Sequence, residues 1–405
     1  MMQILPLEQE LARRTAALGR ITFAQFMEAA LYWPNGGYYT QPRASGVDYF
    51  TAPAAHPAFG ALLALQLEEM WSALGRPDPF WVIEPGAGWG HLARDAASYA
   101  QSLEPSFAKA LRYVALDRAA SPPPKPGATV HWLRAAGLPL KKASGCIVSN
   151  ELFDAMPVHR VAMREGRLRE IFVAQSEGRL AEAEGEPSTP ALTQRLQEEG
   201  ISLAEGQRAE VCLALGPWLD EASQALEQGF LVSIDYGHPA RELYAPQRAR
   251  GTLRCYYRHT LSANPYVHLG RQDMTAHVDF TALAAIGDTL GLKSYPLASQ
   301  GRFLANLGLN GFLRRLAGAG LPQPQRDANR MAMLEIARAG GMGDFSVLVQ
   351  YKGIPQARLT GLEGPSAGWQ DRLARLPLPV LDGRHLAVME ARYPQATQGF
   401  EELWR

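Results

Sequence analysis

Five short apolar runs, separated by helical segments, constrain the fold of this chain most strongly. They cover residues 80–84, 112–117, 129–133, 145–150 and 230–235. Each run has the length of one strand and is nearly continuous in apolar residues, as in strands that are buried on both faces. Helices between consecutive strands make such strands parallel. The pattern therefore predicts an α/β fold with a mostly parallel sheet that is covered on both faces.

A glycine-rich turn follows the first run. That run ends in Glu84, and Gly86, Gly88 and Gly90 then stand at alternate positions before a helix that starts near His91. Glycines here let backbone N–H groups approach a ligand closely. A dinucleotide site, G-x-G-x-x-G, would have its third glycine where His91 stands. The spacing instead favours a ligand without a pyrophosphate, such as S-adenosylmethionine, and glycines that serve strand–helix packing alone are the alternative.

The second run ends in an acidic residue, Asp117. In a doubly wound sheet this carboxylate would lie beside the glycine turn, where it can accept hydrogen bonds from both hydroxyl groups of a ribose. An acid that caps the next helix is the alternative. The prolines at 122–124 favour a loop at this point over a helix.

Polar residues leave the fourth run in the segment 150–157, which begins with Asn150 and Glu151. Ligands of open α/β sheets bind at the carboxyl ends of the strands. Glu151 and Asp154 are three residues apart and could face one side of a helix, where they would hold a guanidinium or ammonium group. Arginine stays charged at ordinary pH, so its methylation needs carboxylates that orient it and handle the leaving proton. Two acids that only start a helix are an equally good interpretation.

Charge and residue content exclude several function classes. The formal net charge is +0, so no general field attracts the protein to nucleic acid or to anionic lipid. The three cysteines form no CxxC pair, and the nine histidines lack metal-binding spacings, so neither a disulfide framework nor a metal site is predicted. The longest apolar stretch, 58–67, is too short to span a bilayer. With no secretory signal at the start of the sequence, we expect a cytoplasmic protein without membrane insertion.

Patterning along the chain predicts five regions. Residues 157–186 alternate as a strand meander with Glu-Gly turns, and 190–228 have the spacing of two helices. The predicted regions are an N-terminal helical part with a cleft loop (1–75), the first half of the core (76–156), an inserted meander and helical subdomain (157–228), the second half of the core (229–353) with substrate-side loops at 238–275, and a C-terminal extension (354–405).

Several segments between residues 19 and 352 together carry a resemblance to a known family. They are 19–23 with 36–39, 48–53 with 59–60, the glycine turn, 150–157, 235–237, 251–253, 273–280 and 300–304. In these segments the chain resembles the MidA family of class I methyltransferases, which includes a mitochondrial complex I assembly factor that methylates an arginine. The segments NELFDAMPV and DMTAHVDF carry most of the specificity, since the glycine turn is common to many methyltransferases.

The resemblance implies a Rossmann-like fold with a seven-stranded, mostly parallel sheet, helices on both faces, N-terminal helices, and an inserted subdomain between strands four and five. It also implies S-adenosylmethionine as methyl donor and a protein arginine as one known acceptor. The residues that it places at the cofactor or in the adjoining cleft are Thr51, Pro53, Glu84, Gly86, Gly88, Gly90, Asp117 and Asn150. The catalytic candidates toward the acceptor are Glu151, Asp154, Asp235 and Asp273.

The chain also departs from the family pattern. Ala52 and Ala54 stand where the family usually has Ser and Glu, and Trp89 and His91 where it often has Arg and Thr. These changes spare the cofactor cradle but remove side chains that could touch the acceptor. We expect a methyltransferase that acts on a protein, most plausibly on arginine. The alternatives are an RNA or small-molecule acceptor, or a cofactor-binding pseudo-enzyme that acts as an assembly chaperone; homo-oligomer formation stays open.

Overall fold

The computed structural model describes residues 4–41, 51–118, 130–257, 260–262 and 264–385. The chain divides into two compact units, each built from three segments. The meander unit comprises Met1–Arg43, Leu152–Asp220 and Gly237–Ile286, and the sheet unit comprises Ala44–Glu151, Glu221–Tyr236 and Gly287–Arg405. The prolines at 122–124 lie outside the described residues.

The strands are β1 (Arg20–Thr22), β2 (Phe80–Pro85), β3 (Leu111–Asp117), β4 (Val130–Arg134), β5 (Ala143–Asn150), β6 (His159–Arg164), β7 (Arg167–Ser176), β8 (Arg179–Gly185), β9 (Arg208–Val211), β10 (Leu226–Asp235), β11 (Gly237–His238), β12 (Arg254–Tyr257), β13 (Thr260–Ser262), β14 (Asp273–Thr275), β15 (Val278–Asp279), β16 (Lys293–Ser294), β17 (Ala298–Ser299) and β18 (Ser346–Lys352).

The α-helices are α1 (Leu7–Leu18), α2 (Phe23–Tyr32), α3 (Ala52–Ala55), α4 (Ala58–Ala73), α5 (His91–Ala100), α6 (Pro105–Ala110), α7 (Ala191–Glu198), α8 (Leu215–Ala225), α9 (Ala240–Leu243), α10 (Phe280–Thr289), α11 (Gln300–Leu307), α12 (Leu309–Leu316), α13 (Gln323–Glu335), α14 (Thr360–Glu363) and α15 (Trp369–Arg375). Short 3-10 turns lie at Tyr38–Thr40, Pro246–Arg248 and Met342–Asp344. Among the described residues, none of these helices is long and apolar enough to cross a membrane.

The sheet unit is built on a mixed sheet in the order β16-β18-β10-β5-β2-β3-β4, with β17 also paired to β18. β2 is parallel to β3 and to β5, and the outer neighbours β4 and β10 continue the parallel pairing. β18 is antiparallel to β10. All five apolar runs form strands, since each contains or overlaps β2, β3, β4, β5 or β10. The chain leaves β2 toward β3 on one side and returns at β5 on the other, which creates a switch point beside β2.

Helix α4 explains why this sheet can be covered. It is buried nearly all round, from Ala58 to Trp71, and its apolar residues belong to the same core cluster as Val82 of β2 and Phe230 of β10. A helix that is apolar on every side is stable only inside a core.

The C-terminal region contributes to the same core cluster through Leu359, Trp369 and Leu373, which are at most 5% exposed. These three side chains therefore attach the C-terminal region to the core of the sheet unit.

The predicted meander is confirmed in β6, β7 and β8, which pair antiparallel in sequence order. Both connecting turns have two residues with positive φ, Glu165 with Gly166 and Glu177 with Gly178, as two-residue hairpins require. Two strands that extend this meander were not predicted. β1 pairs with β7, and β9, which lies between the two helices that were predicted at 190–228, pairs with β6. Three or four residues are too few to show a period, so only their pairing partners define these strands.

Candidate functional site

The glycine turn of the sheet unit has the backbone that its sequence requires. Gly86, Gly88 and Gly90 have φ values of 71°, 53° and 69°, a region that is costly for residues with a Cβ atom. The Ala87 N–H donates to the Leu116 carbonyl over 2.9 Å, which joins the turn to the end of β3. The turn is thus fixed against the neighbouring strand.

The second and third glycines serve different purposes. Among the described residues, a Cβ atom on Gly88 would meet only the Gly86 carbonyl oxygen, at 4.0 Å, whereas one on Gly90 would lie 1.8 Å from the Trp132 ring. The guanidinium of Arg94 covers the same ring, 5.1 Å from its centroid. Gly90 is therefore a packing glycine, as the alternative interpretation held. The described residues leave room beside Gly88, which a ligand that approaches the backbone would need.

Asp117 lies at the turn. Its Oδ2 accepts a hydrogen bond from the Gly88 N–H over 2.8 Å. Since β3 is the parallel neighbour of β2, both strands end at the same edge of the sheet. The carboxylate predicted for a ribose is thus beside the glycine predicted for the cofactor.

Glu84 lies beneath the turn and is 4% exposed. The Tyr113 hydroxyl donates to its Oε2 over 2.8 Å. Burial raises the pKa of Glu84 to about 8; the Tyr113 hydrogen bond opposes the shift, and the negative charges of Asp117 and Asp95 add to it. Glu84 is therefore mainly protonated at neutral pH in the ligand-free protein.

The carboxyl end of β5 carries Asn150 and Glu151. Glu151 has a φ of 51°, which is strained for a residue other than glycine, and its N–H donates to the Ile234 carbonyl over 2.9 Å. The Asn150 amide nitrogen donates to Glu151 Oε1 over 3.1 Å. The Asn150 Oδ1 is buried and has no hydrogen-bond partner in the described part of the chain. A buried acceptor without a partner at the end of a strand suits a polar ligand that can donate a hydrogen bond to it.

The prediction that Glu151 and Asp154 could share one side of a helix was wrong. Residues 151–156 form bends and a turn, closed by a hydrogen bond of 3.1 Å from the Met156 N–H to the Phe153 carbonyl. The left-handed backbone at Glu151 turns the chain away from a helical path. Glu151 belongs to the sheet unit and Asp154 to the meander unit.

Asp235 ends β10, the parallel neighbour of β5, and is fully buried. Its Oδ1 accepts the Tyr236 N–H over 2.9 Å. In the register, Ile234 is opposite Asn150. Asp235 and Glu151 therefore follow the ends of two adjacent strands of the sheet unit.

The meander unit holds the other two acidic candidates, Asp154 and Asp273, which are 5% and 3% exposed. The Asp154 carbonyl accepts the Ala276 N–H over 2.9 Å, so the two predicted segments meet. Asp273 Oδ1 accepts the Tyr39 hydroxyl over 2.8 Å, and Tyr256 is its partner across β12 and β14. Sequence reasoning did not name either tyrosine as a site residue, although Tyr39 ends one of the family-like segments.

Thr51 and Pro53 lie at the start of α3, which contacts α5 within the sheet unit. The Thr51 carbonyl accepts the N–H groups of Ala54 and Ala55. Ala52 and Ala54 are 0% and 7% exposed, so the two departures from the family pattern are buried small residues. This segment packs on the helix that begins directly after the glycine turn.

The sheet unit therefore offers three features that fit S-adenosylmethionine. They are the room that the described residues leave at Gly88, the Asp117 carboxylate beside it and the buried Asn150 Oδ1. Within the described ranges, no group of three or more His, Cys, Asp or Glu side chains could hold a metal ion.

Comparison with known proteins supports a methyltransferase that uses S-adenosylmethionine. The family described as "Putative S-adenosyl-L-methionine-dependent methyltransferase" matches residues 62–297. A COG1565 superfamily member from Burkholderia thailandensis, in a crystal structure with S-adenosyl-homocysteine bound, is 30% identical with a TM-score of 0.75, over 89% of this chain and 95% of that one.

Two curated relatives match this chain over most of their own length. The mitochondrial protein arginine methyltransferase NDUFAF7 homolog of Drosophila melanogaster is 27% identical over 87% of this chain and 86% of its own. The mitochondrial protein arginine methyltransferase NDUFAF7 of Mus musculus is 27% identical over 76% of this chain and 75% of its own.

Fold, site and matches together define a class I methyltransferase that uses S-adenosylmethionine. Within that class, the chain belongs to the MidA family.

Proposed function

We propose that this enzyme transfers the methyl group of S-adenosylmethionine to an arginine of a protein substrate. The observation that carries the proposal is a pair of carboxylates in the sheet unit, Glu151 directly after β5 and the fully buried Asp235 at the end of the adjacent strand β10. A guanidinium keeps its charge, so a site that takes it out of water must supply carboxylates. The names of the curated relatives support the same acceptor.

The residues proposed for the cofactor all belong to the sheet unit. Gly86 and Gly88 would form a cradle of bare backbone, Gly90 lets the turn pack on Trp132, and Asp117 would accept hydrogen bonds from the ribose hydroxyl groups. Asn150 would offer its buried Oδ1 to a donor on the ligand, and Thr51 and Pro53 would close the cleft beside α5. The cofactor supplies a methyl group on a sulfonium that is already a strong electrophile, so alignment and exclusion of water are the main tasks of the protein.

Glu151 is our proposed orienting group and proton acceptor. When the guanidinium nitrogen forms its bond to the methyl carbon, the carbon–sulfur bond breaks and one N–H proton must leave. A carboxylate within hydrogen-bond reach can take that proton or offset its charge. The Asn150 amide, which donates to Glu151 Oε1, would hold the carboxylate in one orientation. The strained backbone at Glu151 is of the kind found at functional positions.

We also infer the finer details of the fold. The two short strands β16 and β17 both pair with β18, and together they would fill one edge position of a seven-position methyltransferase sheet. The segment 157–228, between β5 and β10, would be the inserted subdomain of the family.

Radiolabelled S-adenosylmethionine tests the acceptor. The enzyme is incubated with a cell lysate, and label is expected in protein, in methylated arginine after acid hydrolysis. Label that survives protease but not RNase would point to RNA. Binding of S-adenosylhomocysteine without any transfer would favour the chaperone, for which the buried Ala52 and Ala54 are the structural argument.

A further inference from the structure

The C-terminal segment 377–385 follows one face of helix α5 in the sheet unit. His91, Asp95 and Tyr99 are four residues apart and so lie on the same side of that helix. The Tyr99 hydroxyl donates to the Pro377 carbonyl over 3.0 Å, and the His385 Nε2 lies 2.9 Å from Asp95 Oδ2. The segment thus runs antiparallel to α5, from its last turn back to its first turn.

His385 forms the central contact. It is fully buried, and its two ring nitrogens each lie 2.9 Å from a carboxylate oxygen, of Asp95 and of Asp382. Carboxylate oxygens accept hydrogen bonds, so each ring nitrogen of His385 faces an acceptor. Arg384 adds a cation 3.3 Å from Asp95. Buried charges persist only when they are paired, so this network fixes the position of the segment on α5.

The network reaches the start of the helix. The rings of His91 and His385 are 5.4 Å apart, and His91 is the first residue after the glycine turn. Burial, and after it the charge of His385, lower the pKa of His91 to about 4, so His91 is neutral at physiological pH. The neutral His91 ring therefore packs on the His385 ring directly after the glycine turn.

A second contact ties the same segment to the loop that precedes α4. Asn329 of α13 accepts the Leu381 N–H at its Oδ1 over 2.8 Å, and the same oxygen lies 3.0 Å from the His56 Nε2. The His56 Nδ1 accepts the Ala58 N–H over 3.0 Å. His56 directly follows α3. The predicted cleft residue Thr51 precedes this helix, and Pro53 lies in its first turn. Two parts of the proposed cofactor site are therefore held by one C-terminal segment.

We propose that residues 377–385 are a positioning element of the cofactor site, with His385 and Asn329 as positioning residues for α5 and for the segment 51–56. The inference rests on the proposed placement of the cofactor at the glycine turn. The segment contacts α5 directly and the segment 51–56 through Asn329, so its loss is expected to shift the cradle and weaken binding of the cofactor. A displacement of about 1 Å at a remote support can change a site function by roughly 100-fold.

Calorimetric titration of the full-length protein with S-adenosylhomocysteine tests this inference. His385→Ala is expected to raise the Kd roughly tenfold. Asp382→Ala, at a side chain that is 44% exposed and should not affect folding, removes one acceptor of His385 and is expected to raise the Kd about threefold. Asp382→Asn keeps an acceptor oxygen for the His385 Nδ1 and is expected to restore a Kd within about twofold of wild type.

Tyr295→Phe is the matched control, since it removes a hydroxyl that donates to the Ala357 carbonyl in the same unit but outside segment 377–385, and it should leave the Kd unchanged. The inference is overturned by an unchanged Kd in folded His385→Ala, or by an equal rise in Tyr295→Phe. If His385→Ala does not fold, an unchanged Kd in Asp382→Ala, or a rise in Asp382→Asn as large as in Asp382→Ala, overturns it.

Gly88→Val separates this inference from the proposed site. Wild-type affinity in that variant would remove the cofactor from the turn. Lost affinity in Gly88→Val with unchanged affinity in His385→Ala would remove only the role of the C-terminal segment.

Discussion

Glu84 makes the stability of the ligand-free protein depend on pH. Burial raises its pKa to about 8 in the folded state, against about 4.3 in an unfolded chain. The folded protein therefore holds a proton that the unfolded chain releases. This proton contributes to the free energy of unfolding. Its contribution is complete below the pKa of Glu84 in the unfolded chain and is lost as the pH rises through the pKa in the folded protein. Between pH 6 and 7.5 the loss is about 2 kcal/mol, because each pH unit per proton corresponds to about 1.4 kcal/mol.

Glu84→Gln removes this titration and keeps an oxygen for the Tyr113 hydroxyl. Urea unfolding of wild type and variant, at pH 6.0 and at pH 7.5, measures the difference, because every other group titrates alike in both proteins. From pH 6.0 to pH 7.5, the free energy of unfolding should fall by about 2 kcal/mol more in wild type than in Glu84→Gln.

Glu227→Gln is the matched control, since Glu227 is exposed on β10 of the same unit. Its stability should follow wild type at both pH values. Parallel curves for wild type and Glu84→Gln would show that Glu84 is ionised when folded, and the argument from burial would fail.

Three further predictions concern the turn and the end of β5. Gly88→Val should abolish S-adenosylhomocysteine binding in calorimetry without unfolding the chain, because the side chain enters the ligand's space; a folded variant that still binds contradicts the site. Gly90→Ala should destabilise by roughly 3 kcal/mol in urea unfolding, from the clash with Trp132 and the left-handed backbone; wild-type stability would contradict the packing role. Glu151→Gln should lower turnover in the radiolabel assay by about 100-fold with little change in cofactor affinity, and unaltered turnover would remove Glu151 from the mechanism.

The sequence predicted the features that depend on neighbours along the chain. Apolar runs became strands, the Glu-Gly pairs became hairpin turns, and three glycines took backbone angles that side chains disfavour. The position of Asp117 could also be predicted, because parallel strands end at one edge of their sheet. These features follow from backbone sterics and from burial periodicity, which act over a few residues.

The segment after β5 shows where local reasoning fails. Two acids three apart suggested a helix, but Glu151 adopts a left-handed backbone while its N–H bonds to Ile234 on the next strand. A contact between strands more than 80 residues apart has no signal in either segment. The same holds for β1, which is a strand only because β7 lies beside it.

Composition and local pattern determined by themselves that this chain forms a parallel sheet with a bare-backbone turn and an acid on the neighbouring strand. Only the tertiary structure decided that Glu84 is buried enough to keep its proton and that the Trp132 ring packs directly on Gly90. It alone also decided that His385 contacts Asp95. Desolvation, close packing and buried ion pairs depend on which distant segments meet, and that is settled only when the whole core forms.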